Sequence, residues 1–241
     1  MKNIEIMGHL VIGYPTLEES FKTALTYIEN GIEILELQIP FSDPTADGEI
    51  ITLANKTAIR NNITLENCLE FIANLRSKFP KQEIYVMTYL NKILSYNWNE
   101  LESKFQNLNI NQLIIPDLPF DSPETDSFEK NGVVKLVPVI GVNIEIPRLK
   151  ELLNKNPEFI YIMSGFKITG STFDLHDLMK EITSEIRTNS KSKIGIGFGV
   201  NSYEDALSIA ELADTVIVGS AFIKAEKEGK LIEKIKEIKG N

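Results

Sequence analysis

Eight short runs of apolar, largely β-branched residues recur along this chain, and amphipathic helical stretches fill most of the gaps between them. That rhythm dictates βα units and therefore a parallel sheet. The predicted strands cover residues 7–12, 34–39, 84–88, 112–115, 134–139, 159–163, 193–197 and 215–218. Each carries apolar residues on both faces, as a strand buried between helices and a core must. Helix ends are marked too. Thr16-Leu17-Glu18-Glu19 has the hydroxyl and carboxylate of a capping box, while Asn30-Gly31 and Asn131-Gly132 supply the left-handed turn that ends a helix. Eight units in a uniform rhythm within 241 residues predict an α/β fold closed into an eight-stranded parallel βα barrel (TIM barrel), with residues 1–241 forming one domain. A doubly wound open sheet is the alternative architecture.

Composition narrows the classes of partner. The formal net charge is −9 and the four arginines (Arg60, Arg76, Arg148, Arg187) are scattered, so there is no electrostatic footprint for nucleic acid. No apolar run is long enough to cross a bilayer, and no charged-then-apolar leader opens the sequence. The lone cysteine, Cys68, excludes an internal disulfide and a thiol metal cluster. A cytoplasmic protein is expected. His9 and His176 are too few, and too far apart, for a zinc site. A phosphate-bearing ligand would have to be held mostly by backbone N–H groups.

In a barrel of this kind the active site lies just beyond the C-terminal ends of the strands. The second strand ends in Leu35-Glu36-Leu37-Gln38-Ile39-Pro40-Phe41-Ser42-Asp43-Pro44-Thr45-Ala46-Asp47-Gly48. Glu36 sits between leucines, where a carboxylate is costly unless paired, protonated or facing a cavity. Strand alternation points Glu36 and Gln38 to the interior and Leu37 and Ile39 outward. Glu36 is then either a core carboxylate bonded to a neighbouring strand or an acid facing a ligand. Asp43 and Asp47, taken singly, are ordinary turn residues before Pro and Gly. Together with Glu36 they offer two carboxylates in different environments, one able to give a proton while the other stays charged.

Gly197-Phe198-Gly199-Val200-Asn201 follows the seventh strand and Gly219-Ser220-Ala221 the eighth, where barrels commonly cradle phosphate. Each alone more often marks a strand-to-helix turn; two at successive strand ends are the stronger signal. Residues 165–171, Gly-Phe-Lys-Ile-Thr-Gly-Ser, are placed to be a glycine-hinged lid, with Lys167 bringing the only positive side chain expected at this pole. His9 faces either the cavity or the core, and His176 reads as a surface helix residue. Tyr14-Pro15 and residues 89–91 read as turn or rim.

These residues resemble the α subunit of tryptophan synthase. The stretch from Leu35 to Gly48 is similar to that family's signature Leu-Glu-Leu-Gly-x-Pro-Phe-Ser-Asp-Pro-x-Ala-Asp-Gly. Ile12-Gly13-Tyr14-Pro15, Met87-Thr88-Tyr89-Leu90-Asn91, Ile114-Ile115-Pro116-Asp117-Leu118-Pro119, Ile168-Thr169-Gly170, Gly197-Phe198-Gly199 and Val218-Gly219-Ser220 follow in family order. The resemblance implies cleavage of indole-3-glycerol phosphate to indole and glyceraldehyde 3-phosphate. Glu36, with a raised pKa, would deliver a proton to the ring carbon that bears the chain. Asp47, more solvated and ionised, would stabilise positive charge at the indole nitrogen. Tyr161 corresponds to the tyrosine of the indole pocket and Thr169 to the lid threonine that meets the catalytic aspartate. Gly170, Gly199, Gly219 and Ser220 fall on phosphate-binding positions. No metal or organic cofactor is implied. A pyridoxal-phosphate-dependent β subunit, in an α2β2 assembly, would receive indole through a tunnel, with Pro40, Asp43, Pro44, Asn91 and Pro119 at partner-facing positions.

Some residues depart from the family pattern. Gln38 and Glu49 stand where Gly and Pro are usual, Val11 where Thr is usual, and Gly165 and Lys167 alter the lid. The helix that plugs the barrel bottom is almost absent ahead of the first strand. Two alternatives follow: a catalytically weak α subunit that mainly activates its β partner, or another phosphate-binding barrel isomerase, which would share Gly199 and Gly219 but lack the run from Glu36 to Asp47.

Overall fold

The computed structural model describes residues 4–163, 175–197 and 199–241. One sheet contains β1 (Glu5–Val11), β2 (Ile34–Gln38), β3 (Glu83–Met87), β4 (Gln112–Ile114), β5 (Lys135–Val137), β6 (Val139–Gly141), β7 (Phe159–Met163), β8 (Lys193–Gly197) and β9 (Thr215–Val218). The described helices are α1 (Leu17–Glu29), α2 (Glu49–Arg60), α3 (Leu65–Lys78), α4 (Leu90–Leu94), α5 (Trp98–Asn107), α6 (Pro123–Glu129), α7 (Ile146–Asn154), α8 (Leu175–Asn189), α9 (Tyr203–Ala210), α10 (Ser220–Lys227) and α11 (Leu231–Lys239). None of them is long and apolar enough to cross a membrane.

The strand order is β5-β4-β3-β2-β1-β9-β8-β7-β6, and every pairing is parallel. Its two ends, β5 and β6, are consecutive in the chain, so the sheet closes on itself and the open-sheet alternative is set aside. The fifth expected strand is divided, and the cause is Pro138. Proline has no N–H to give to a ladder; its carbonyl still accepts from Tyr161 N at 3.0 Å. The residues before it pair with β4 and those after it with β7.

Two apolar layers follow from strand alternation. Ile6, Leu10, Leu35, Leu37, Val86 and Ile162 point outward and pack with the helices. Met7, Ile34, Tyr85, Met87, Phe159 and Ile217 fill the barrel. Gly195 makes room for that filling, because a Cβ there would lie 2.4 Å from Phe159 Cζ. Phe159 cannot easily yield, being 2% exposed and edge-on to Tyr85 at 5.3 Å. Gly195→Ala is therefore expected to destabilise the fold by about 1–3 kcal/mol through overpacking, read as a lower urea midpoint at unchanged slope.

The helix-end signals hold with one change. Asn30 is the C-cap of α1, and Gly31 and Gly132 have φ of +75° and +69°. Thr16 Oγ1 accepts from Glu19 N at 3.2 Å, but the Glu19 carboxylate turns to the Thr16 hydroxyl at 2.8 Å rather than to its backbone N–H.

Candidate active site

The C-terminal ends of the strands open into a cavity of about 370 Å³, lined by Glu36, Asp47, Tyr161, Gly199, Gly219 and Ser220 together with His9, Asn201 and Lys224, among others. This volume is in the range of small-ligand clefts. Glu36 lies mid-barrel, 2% exposed, between His9 of β1 and Tyr85 of β3 in the register. Its interior direction is the one that alternation required. His9 Nδ1 lies 3.3 Å from Glu36 Oε1. His9 thus faces the cavity, and the two readings of Glu36 meet: it contacts a residue of the neighbouring strand and also lines the cavity. Glu36 Oε2, His9 Nε2 and Gln38 Oε1 are buried with no hydrogen-bond partner among the described residues.

The loop after β2 is anchored from three elements. Gln38 Nε2 donates to Asp47 Oδ2 at 2.7 Å, and Asn55 Nδ2 of α2 approaches the same oxygen at 3.3 Å. Asn55 Oδ1 meanwhile accepts from Phe41 N at 3.0 Å. Tyr89 accepts from Ala46 N at 3.2 Å and stacks on Phe41 at 5.2 Å. Asp47 is half-buried, more solvated than Glu36 as expected, but tied by these bonds rather than free in the loop. Burial raises its pKa; the charge of His9 and then the Gln38 hydrogen bond oppose that without cancelling it. For His9, burial favours the neutral ring, but the charge and hydrogen bond of Glu36, followed by Asp47 and Gln38, outweigh it and leave the pKa above the usual histidine value.

Glycines and a helix start make another part of the cavity wall. Gly197 lies against Tyr161, where a Cβ would meet the phenol oxygen at 3.1 Å. Gly199 takes φ of +50°, and Gly219 is the N-cap of α10, whose first residue is Ser220. Backbone N–H groups at such a start are anion donors. Lys224 follows Ser220 by four residues, one helical turn, and its side chain reaches the same cavity. The expectation that Lys167 would be the only cation at this pole is therefore corrected. Lys167, Gly165, Thr169 and Gly170 lie outside the described residues, as does Phe198.

Of the five partner-facing positions, Asp43, Asn91 and Pro119 are exposed, whereas Pro40 and Pro44 are buried in the fold. Leu94, one turn beyond Asn91 on α4, is 55% exposed. Among the described residues no group of three or more His, Cys, Asp or Glu side chains is placed to hold a metal ion.

The tryptophan synthase alpha chain of Petrotoga mobilis is 33% identical over 238 residues, covering 96% of this chain and 92% of that one. The structure of tryptophan synthase subunit alpha from Campylobacter jejuni superposes with a TM-score of 0.84 at 30% identity, covering 99% of this chain and 96% of that one. A chain of the tryptophan synthase complex from Pyrococcus furiosus superposes at 0.87 with 25% identity, covering 100% and 99%. The family model described as tryptophan synthase alpha chain matches residues 2–239. This chain belongs to the tryptophan synthase alpha chain family.

Proposed function

We propose that the cavity at the strand ends is where this lyase splits indole-3-glycerol phosphate, with Glu36 as the proton donor and Asp47 as the charge stabiliser. The observation that carries the reading is that the two carboxylates and the Gly219 and Ser220 helix start line one cavity. The substrate has matching ends: a neutral, weakly basic ring and a dianionic phosphate. Glu36 Oε2, buried and unpartnered, gives its proton to the ring carbon that bears the chain. Positive charge then develops at the ring nitrogen, and the half-buried Asp47 carboxylate stabilises it. Cleavage needs the chain hydroxyl to lose its proton, and the Glu36 carboxylate just formed receives it. The electrons of the carbon–carbon bond pass to the ring, so that indole and an aldehyde leave and Glu36 is again an acid.

Tyr161 borders the ring, while Gly199, Gly219 and Ser220 hold the phosphate. Thr169 and Gly170 complete the reading from the lid. The reading takes residues 1–241 as one barrel domain, supported by the single sheet from Glu5 to Val218. It places the protein in the cytoplasm, as a biosynthetic enzyme, and gives it a β-subunit partner in an α2β2 assembly. Exposed Asp43, Asn91, Leu94 and Pro119 on the strand-end rim support that surface.

The test is turnover of the full chain, alone and with a pyridoxal-phosphate-dependent β chain. Indole and glyceraldehyde 3-phosphate are expected in equal amounts, faster with the partner. Activation of the β chain without any cleavage would favour the weak-subunit alternative. Lys224 adds a second expectation. An ammonium at the phosphate pole attracts through water, so Lys224→Met should raise the Michaelis constant about two- to fivefold and make it less sensitive to salt. An unchanged salt dependence would show that Lys224 does not meet the phosphate.

A further inference from the structure

One buried titratable side chain at the centre of the cavity has no task in the reading above. His9 is on β1 beside Glu36, with Nδ1 3.3 Å from Oε1 and side chains only 5% and 2% exposed. Its place is well fixed. The His9 carbonyl accepts from the Tyr27 hydroxyl at 3.1 Å, and the ring lies so near Gly219 that a Cβ there would sit 3.6 Å from its Cδ2. With the Glu36 proton on Oε2, as the proposed reaction requires, Oε1 can only accept, so Nδ1 carries the hydrogen of this contact. This leaves Oε2 as the Glu36 oxygen presented to a substrate.

The length of the contact is informative. Ordinary N–H···O bonds cluster near 2.9–3.0 Å, and those to a full carboxylate are about 2.7–2.9 Å. At 3.3 Å the His9 contact is slack, with room to shorten as negative charge appears on Glu36. An interaction that strengthens between ground state and transition state raises turnover rather than affinity.

We propose that His9 is a positioning residue of the cleavage: its Nδ1–H holds Glu36 Oε1, aims Oε2 at the ring carbon, and tightens on the carboxylate that Glu36 becomes. The inference rests on the reading of Glu36 as proton donor. In the forward step the Oε2–H bond breaks as the ring C–H bond forms, and the carboxylate left behind keeps the His9 hydrogen bond. When the chain hydroxyl returns a proton to Glu36 the contact slackens again. His9 itself gains and loses nothing.

Side-chain geometry supplies the test. The amide nitrogen of asparagine sits close to where histidine carries Nδ1, whereas that of glutamine reaches the Nε2 position. His9→Phe is expected to lower kcat by about 100-fold, the usual loss when one donor to a developing oxyanion is removed, with little change in KM. His9→Asn should recover much of the lost kcat and His9→Gln should not. Turnover of all three full-length variants with indole-3-glycerol phosphate is measured, with thermal melts alongside. If the phenylalanine variant fails to fold, the asparagine and glutamine variants decide. Near-normal kcat in His9→Phe, or equal losses in the Asn and Gln variants, would overturn the proposal. Glu36→Gln separates the two layers. If it is inactive while His9→Phe is normal, only the role of His9 fails; if it is active, the reading of Glu36 fails first.

Discussion

Glu36→Gln is expected to abolish indole release while leaving the protein folded. The amide keeps the size and one carbonyl oxygen of the acid, so the His9 contact at Oε1 retains an acceptor and the barrel interior keeps its packing. What disappears is the acidic proton and the base that recovers it. Loss of a positioned acid and base lowers turnover on the order of 10²–10⁴-fold, here with a single group serving both steps. Binding of indole-3-propyl phosphate, which has the ring and phosphate but no chain hydroxyl, should remain near normal by calorimetry. A Glu36→Gln protein with near-normal turnover would remove Glu36 from the chemistry.

Asp47→Asn is expected to cost about 10²–10³-fold in kcat, as electrostatic stabilisers of a developing charge do, without weakening phosphate binding. The asparagine carbonyl oxygen can still accept from Gln38 and Asn55, so the loop stays anchored. Only the negative charge is lost. Titration with inorganic phosphate or glycerol 3-phosphate separates the two roles: unchanged affinity marks Asp47 as acting at the ring end. An equal fall in affinity and turnover would mean that Asp47 holds the loop in shape and no more.

Much of this site was legible because strand alternation is a strict rule. Once residues 34–39 were read as a strand, Glu36 and Gln38 had to share a face, and the structure puts both in the interior. The paired glycine turns were legible for the same reason, since their positions follow from the strand ends. The same alternation failed to settle His9, because both faces of β1 are buried and a buried ring fits either layer. Asn55 carried no signal at all. It lies on α2, eight residues after Asp47, and reaches back along the first turns of that helix. Lys224 did carry one, its spacing of four from Ser220 on a helix, which places both on one face.

The bonds that hold Asp47 were not legible in its own stretch of sequence. An Asp-Gly pair in a polar loop reads as a turn, but Gln38 and Asn55 bind the Asp47 carboxylate and Tyr89 holds the adjacent Ala46 N. Pro138 shows the converse, a visible signal left unused. A proline inside an apolar run interrupts its ladder, and here it divides one expected strand into β5 and β6 without opening the barrel.

The most direct measurement is a crystal structure of Glu36→Gln soaked with intact indole-3-glycerol phosphate, which an inactive variant would preserve. The account predicts the phosphate on the backbone N–H groups at Gly199, Gly219 and Ser220, the ring nitrogen at Asp47, and the chain-bearing ring carbon about 3–3.5 Å from the side chain at position 36, as a reacting pair must be. A substrate bound in the reverse sense, or lodged in a different cleft, would contradict it.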